Sequence, residues 1–144
     1  MARVHAAREA IDASGADVLL TGRAETFLVA DPDLEEAIRR LTAYAEAGAD
    51  CLYAPGLSTL AQVEAVVKAV SPRPVNVLMA RPGFTRTELA GVGVRRISVG
   101  SGFARIALGA FMDAARGLLE DGRFESAGAS FAELDGIFGA PEPR

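Results

Sequence analysis

Apolar residues along this chain follow two rhythms. In one they recur every three or four positions, the period of a helix face. In the other they form short unbroken runs stopped by Gly, Pro or a charge, which is how strands covered on both faces read. Val4, Ala7 and Ile11 share one helical face and Gly15 follows as a C-terminal cap, so the chain opens on a helix. The next stretch is Asp17-Val-Leu-Leu-Thr-Gly-Arg-Ala-Glu25. Here Val18, Leu19 and Leu20 predict a strand buried on both faces, broken at Gly22 and followed at its end by Arg23 and Glu25.

The alternation then repeats. Asp31-Pro32 predicts a helix start, with the Asp accepting from free amides and Pro at the first helical position, and Leu34, Ile38, Leu41 and Ala45 form the stripe up to Gly48. Asp50-Cys-Leu-Tyr-Ala-Pro-Gly56 is the second strand and its exit. Ser58 is the expected cap of a third helix carrying Val63, Val66, Val67 and Val70, which stops at Ser71-Pro72. Pro74-Val-Asn-Val-Leu-Met79 is the third strand, with Arg81-Pro-Gly-Phe as its exit loop. Thr85-Arg-Thr-Glu88 has the form of a capping box before a short helix, and Arg95-Arg-Ile-Ser-Val-Gly-Ser-Gly102 is the fourth strand and its exit. From Phe103 to about Glu120 a long helix carries Phe103, Ile106, Ala107, Ala110, Phe111, Ala114 and Leu118 on one face. Ser130-Phe-Ala-Glu133 caps a terminal helix with Phe131, Leu134, Ile137 and Phe138, a face available to its own domain or to a partner subunit. Residues 139–144 read as a frayed tail after a domain of residues 1–138.

Four strand-and-helix units demand a parallel sheet with right-handed crossovers. An open doubly wound sheet and half of an eight-stranded (β/α)8 TIM-type barrel both fit. The opening helix without a preceding strand, and the charged or glycine-rich strand ends, favour the half barrel, with an extra C-terminal helix.

Composition narrows the setting. The chain has 144 residues, half of them hydrophobic, with a net charge of -4. That balance provides no broad basic surface for nucleic acid. No run approaches the ~20 apolar residues that cross a bilayer. One cysteine makes no internal disulfide and no leader pattern opens the chain, so the expected setting is cytoplasmic, without a membrane partner.

Candidate chemistry concentrates at strand ends, where parallel α/β folds bind ligands. Arg23 and Glu25 stand at the first such end, open to a role in binding or to pairing with neighbouring loops. Asn76 is the sole polar side chain in its strand and alternates onto the side of Leu78, so it is either a satisfied buried amide or a ligand contact. Ser98 lies on the fourth strand. Gly100, Ser101 and Gly102 form a turn narrow enough for backbone amides to approach an anion, or simply for tight packing. Cys51 sits at a strand's start, away from the ligand end, and reads as core. His5, on an alanine-rich helix with no second ligand at metal spacing, reads as solvated.

Gly22-Arg23-Ala24-Glu25 after a buried strand, Ala45-Glu-Ala-Gly-Ala-Asp50 before the next, Val94-Arg-Arg-Ile-Ser-Val-Gly100 and Phe131-Ala-Glu-Leu-Asp135 together resemble the isocitrate lyase and phosphoenolpyruvate mutase superfamily, in its carboxyvinyl-carboxyphosphonate phosphorylmutase-like branch. The resemblance covers nearly the whole chain and matches the C-terminal half of the family's barrel. It implies a magnesium-dependent enzyme that makes or breaks C–C or P–C bonds in small 2-oxo acids through an enolate-like intermediate. By the same resemblance Arg23 binds the substrate's anionic group and Glu25 orients it or holds metal-bound water; Asn76, Ser98 and Gly100 join them as substrate-binding candidates on their own positions in the strands and their exits.

The departures are as informative. The family's metal-binding aspartates and cysteine-bearing loop lie in the half without a counterpart here, so no catalytic or metal-ligating residue is assigned and Cys51 is not the family's cysteine. Ala54-Pro55-Gly56 stands where relatives carry Glu or His, and Asn76 falls two positions before their polar residue. The expectation is the substrate-anchoring half of a lyase or mutase, inactive alone, or a non-catalytic oligomerising or small-anion-binding remnant. Unpaired strand edges predict a homo-oligomer or a complementing half-barrel chain.

Overall fold

A computed structural model describes residues 1–29, 32–79, 83–124 and 128–139. Helix α1 (Ala2–Ser14) ends where Gly15 takes a φ of 65°, a left-handed turn that a residue without a β-carbon adopts at little cost. Strand β1 (Thr21–Arg23) and one 3-10 turn (Thr26–Leu28) precede α2 (Leu34–Glu46) and β2 (Cys51–Tyr53). Then come α3 (Leu60–Val70), β3 (Val75–Leu78), α4 (Arg86–Gly91), β4 (Arg96–Ser98), α5 (Gly102–Asp121) and α6 (Phe131–Phe138). The chain divides into two compact units, Met1–Ser101 and the segment from Gly102 onward.

In the first unit all pairings are parallel and the strands run in the order β1-β2-β3-β4. A doubly wound sheet reverses its strand order at a switch point; a sequential order with right-handed crossovers keeps every helix on one face. The core agrees, since Leu41 of α2, Val63, Val66 and Val70 of α3 and Leu89 of α4 all pack with Leu52, Val75 and Val77 of the strands. This is half of a barrel-type α/β fold.

Helix α1 is fastened at the start of β2. Asp50 Oδ2 accepts from the Leu20 amide (2.7 Å) and from Arg8 Nη1 (2.9 Å), so one carboxylate ties α1, the approach to β1 and β2 together. Gly48 makes room for this clamp. Its φ is 94° and a β-carbon there would lie 2.7 Å from Arg8 Cγ.

Three boundaries differ from the sequence reading. The first strand is Thr21–Arg23 rather than Val18–Leu20, and Val18 and Leu19 are 50% and 76% exposed. β1 is an edge strand whose one neighbour begins pairing at Cys51, so Val18 and Leu19 lie before the ladder and stay exposed, while Leu20 is half-buried against the start of β2. Helix α2 is capped by Asp33, whose side chain accepts from the Glu35 and Glu36 amides, and Pro32 falls before the cap. Asp31 lies outside the described residues. The α3 cap is Thr59 rather than Ser58, because Gln62 three residues on returns the bond to the Thr59 amide, whereas Ser58 would be answered by Ala61.

The capping boxes at Thr85 and Ser130 are formed as expected. In the second unit no residue of α5 or α6 is buried, so the apolar face predicted to pack stays open, with Phe103 and Phe131 among its exposed rings. Among the described residues no helix is long and apolar enough to cross a membrane.

Candidate functional site

Residues paired across a parallel sheet point to the same face. Arg23 pairs with Tyr53, Tyr53 with Asn76, and Asn76 with Arg96, which makes one row across all four strands. Leu78 and Ser98, two positions further along, share that face. The opposite face carries Gly22, Leu52, Val75 and Val77 against the helices, with Gly22 so close to α2 that a β-carbon would lie 2.9 Å from Tyr44 Cβ. The sheet therefore has one helix-covered apolar face and one polar face.

Two side-chain pairs stand on the polar face. Arg23 Nε lies 2.7 Å from Glu25 Oε1, and its guanidinium carbon is 5.0 Å from the centroid of the Tyr53 ring. Both partners of the ion pair are about half exposed, so the contact adds at most about 1 kcal/mol of stability. Its effect is to hold a guanidinium in place at the carboxyl end of β1. The second pair is Asn76 and Ser98: Asn76 Nδ2 donates to Ser98 Oγ at 3.0 Å. Asn76 is buried, and its Oδ1 has no hydrogen-bond partner.

Tyr53 stands between the pairs, on the strand that separates them. Gly100, at φ 55°, forms the exit of β4 and brings no side chain to the row. Arg81 lies outside the described residues. His5 is exposed beside Glu9 at 3.3 Å. Cys51 is buried; burial pushes its thiol up while the neighbouring Arg96 guanidinium pulls the other way, so it is no ready nucleophile.

Tyr53 and Arg96 were not candidates on sequence grounds. A period-two signal for Arg96 was nevertheless present, because it alternates onto the side of Ser98. Tyr53 could be found only from the register, which brings it beside Arg23.

Parallel strands in sequential order, with charged and amide side chains along one face, define a barrel-type α/β scaffold that receives ligands at its strand ends. The sequence model of phosphoenolpyruvate phosphomutase matches residues 1–119, and the chain belongs to that family. A protein of Burkholderia cenocepacia J2315, provisionally designated a lyase/mutase, is 43% identical over 96% of this chain and 51% of its own, with a TM-score of 0.86. A second protein of that organism, provisionally a phosphonomutase, is 38% identical over 85% of this chain and 49% of its own, with a TM-score of 0.69. The likeness to 2,3-dimethylmalate lyase is one of fold: 24% identity over 95% of this chain and 49% of that one, TM-score 0.78. The chain thus spans about half the length of these relatives. No curated protein sequence matches it directly.

Proposed function

We propose that this chain is the substrate-anchoring half of a magnesium-dependent lyase or mutase for small 2-oxo acids, with Arg23 holding the acid group. The carrying observation is the Arg23 guanidinium at the carboxyl end of β1, braced by Glu25 and the Tyr53 ring yet open to solvent. A guanidinium offers paired donors that match a carboxylate or phosphonate. Membership of a family of lyases and mutases supports the substrate class. Asn76 and Ser98 supply neutral hydrogen-bonding groups on the same face, and Gly100 leaves the exit of β4 narrow.

Among the described residues no three His, Cys, Asp or Glu side chains gather in a set that could hold a metal ion. In this reading the magnesium ligands come from the other half of the barrel, and this chain's own part in the reaction is to bind and orient the acid. Arg23→Ala should weaken binding of pyruvate or oxaloacetate at least about tenfold, the loss of one charged hydrogen-bonding group. Titration calorimetry measures this, and unchanged affinity would sink the assignment.

A second reading, a non-catalytic anion-binding or oligomerising remnant, is favoured by the two unpaired sheet edges and the exposed Val18 and Leu19 beside one of them. The two readings separate in an oxo-acid turnover assay with magnesium, run on the chain alone and with a chain carrying the other half barrel. Turnover only in the mixture supports the enzyme reading; none in either supports the remnant.

A further inference from the structure

On the polar face Asn76 and Ser98 share one hydrogen bond but differ in what can reach them. Asn76, inside β3, is 1% exposed, whereas Ser98, at the end of β4, is half-buried. A ligand on this face meets the hydroxyl and not the amide. The amide nevertheless acts on the hydroxyl. A serine oxygen carries one proton and two lone pairs, and an amide nitrogen can only donate. Asn76 Nδ2 takes one of the lone pairs at 3.0 Å, so the Ser98 proton is directed elsewhere, and among the described residues nothing accepts it.

Stability alone would not select this arrangement. Asn76 is flanked by Tyr53 and Arg96 on the neighbouring strands, and its Oδ1 is buried without a partner. A buried acceptor left unpaired costs free energy, and an apolar side chain of the same shape would avoid that cost. What the amide supplies, and an apolar side chain would not, is a fixed direction for the Ser98 proton.

We propose that Asn76 is a positioning residue: it makes Ser98 a directed, neutral donor for a carbonyl oxygen of the ligand without touching the ligand itself. A carbonyl oxygen accepts and cannot donate, which matches a free proton with no open acceptor beside it. The inference rests on the reading of Arg23 as the anchor of the acid group and adds which neutral group is read. The Arg23 guanidinium lies over the Tyr53 ring of β2, and β4 is two strand spacings, about 10 Å, from β2. Two hydrogen bonds of about 3 Å each take up most of that gap, so the acid and oxo groups stand close together on a short chain.

The test is titration calorimetry of the whole chain with pyruvate and with propionate, which share a carboxylate and a carbon count and differ in the oxo group. The wild type should bind pyruvate about three- to tenfold more tightly, the measure of one neutral hydrogen bond. Ser98→Ala should remove that preference and leave propionate unchanged. Asn76→Leu should do the same with an unchanged or raised melting temperature, and adding it to Ser98→Ala should change nothing further, because its effect passes through the hydroxyl. If Asn76→Leu keeps the preference, or weakens pyruvate further in the Ser98→Ala background, the positioning role is overturned. Failure of both Asn76→Leu and Asn76→Val to fold, read by circular dichroism, overturns it too, since the amide is then structural. Equal binding of both acids by the wild type overturns the Ser98 donor and leaves Arg23 standing. If Arg23→Gln binds propionate as the wild type does, the anchor reading fails by itself, and absence of binding by either acid to the wild type overturns both.

Discussion

The two units of this chain use apolar side chains in opposite ways. In Met1–Ser101, Leu41, Leu52, Val63, Val66 and Leu89 are fully buried and join strands and helices in one core. From Gly102 onward α5 and α6 also carry an apolar stripe, and among the described residues they bury none of it. A hydrophobic stripe therefore fixes helix phase, and only a facing partner turns it into stability.

This contrast can be broken by mutation, most strongly in the sheet unit. Leu52→Ala removes a fully buried side chain between two strands and should cost about 2–5 kcal/mol in urea unfolding. Asp50→Ala releases the Leu20 amide and Arg8 together, and should cost about 1–3 kcal/mol by the same measurement, with added fraying of α1 in hydrogen exchange. Phe111→Ala, in the exposed stripe of α5, should stay within about 0.5 kcal/mol. A loss as large as that of Leu52→Ala would mean that the stripe is covered in solution.

The smallest effect concerns acid. Arg39, and then Arg40, hold the Glu36 carboxyl down to about 2 from its ordinary 4.5. A carboxylate lowered on folding stabilises the fold above its unfolded value, and that contribution fades as the pH falls from about 4.5 to about 2. Glu36→Gln should thus narrow the gap in melting temperature between neutral and acid solution, measured as melting curves across that window.

The sequence made the helices legible because their signals are local. Thr85 and Glu88, or Ser130 and Glu133, announce a helix start within four residues, and the structure forms both boxes. The parallel half-barrel order was legible from alternation and crossover handedness. Burial is not local. Val18 and Leu19 look like core because they are apolar and contiguous, but β1 has a neighbour on one side alone and the ladder starts after them. The polar face was half legible for the same reason. Arg23 and Asn76 are conspicuous in their runs, whereas Tyr53 and Arg96 gain meaning only from a register that joins residues 23, 53, 76 and 96.

The sequential strand order also bears on how the unit comes together. Each strand pairs with its predecessor in the chain, so as synthesis proceeds every new strand meets a partner already made, and no segment has to insert between two earlier ones. Contacts of short sequence separation also favour fast folding. Helix α1 is the exception: its Arg8 waits for Asp50, 42 residues later, so this helix is fastened only after β2 has begun.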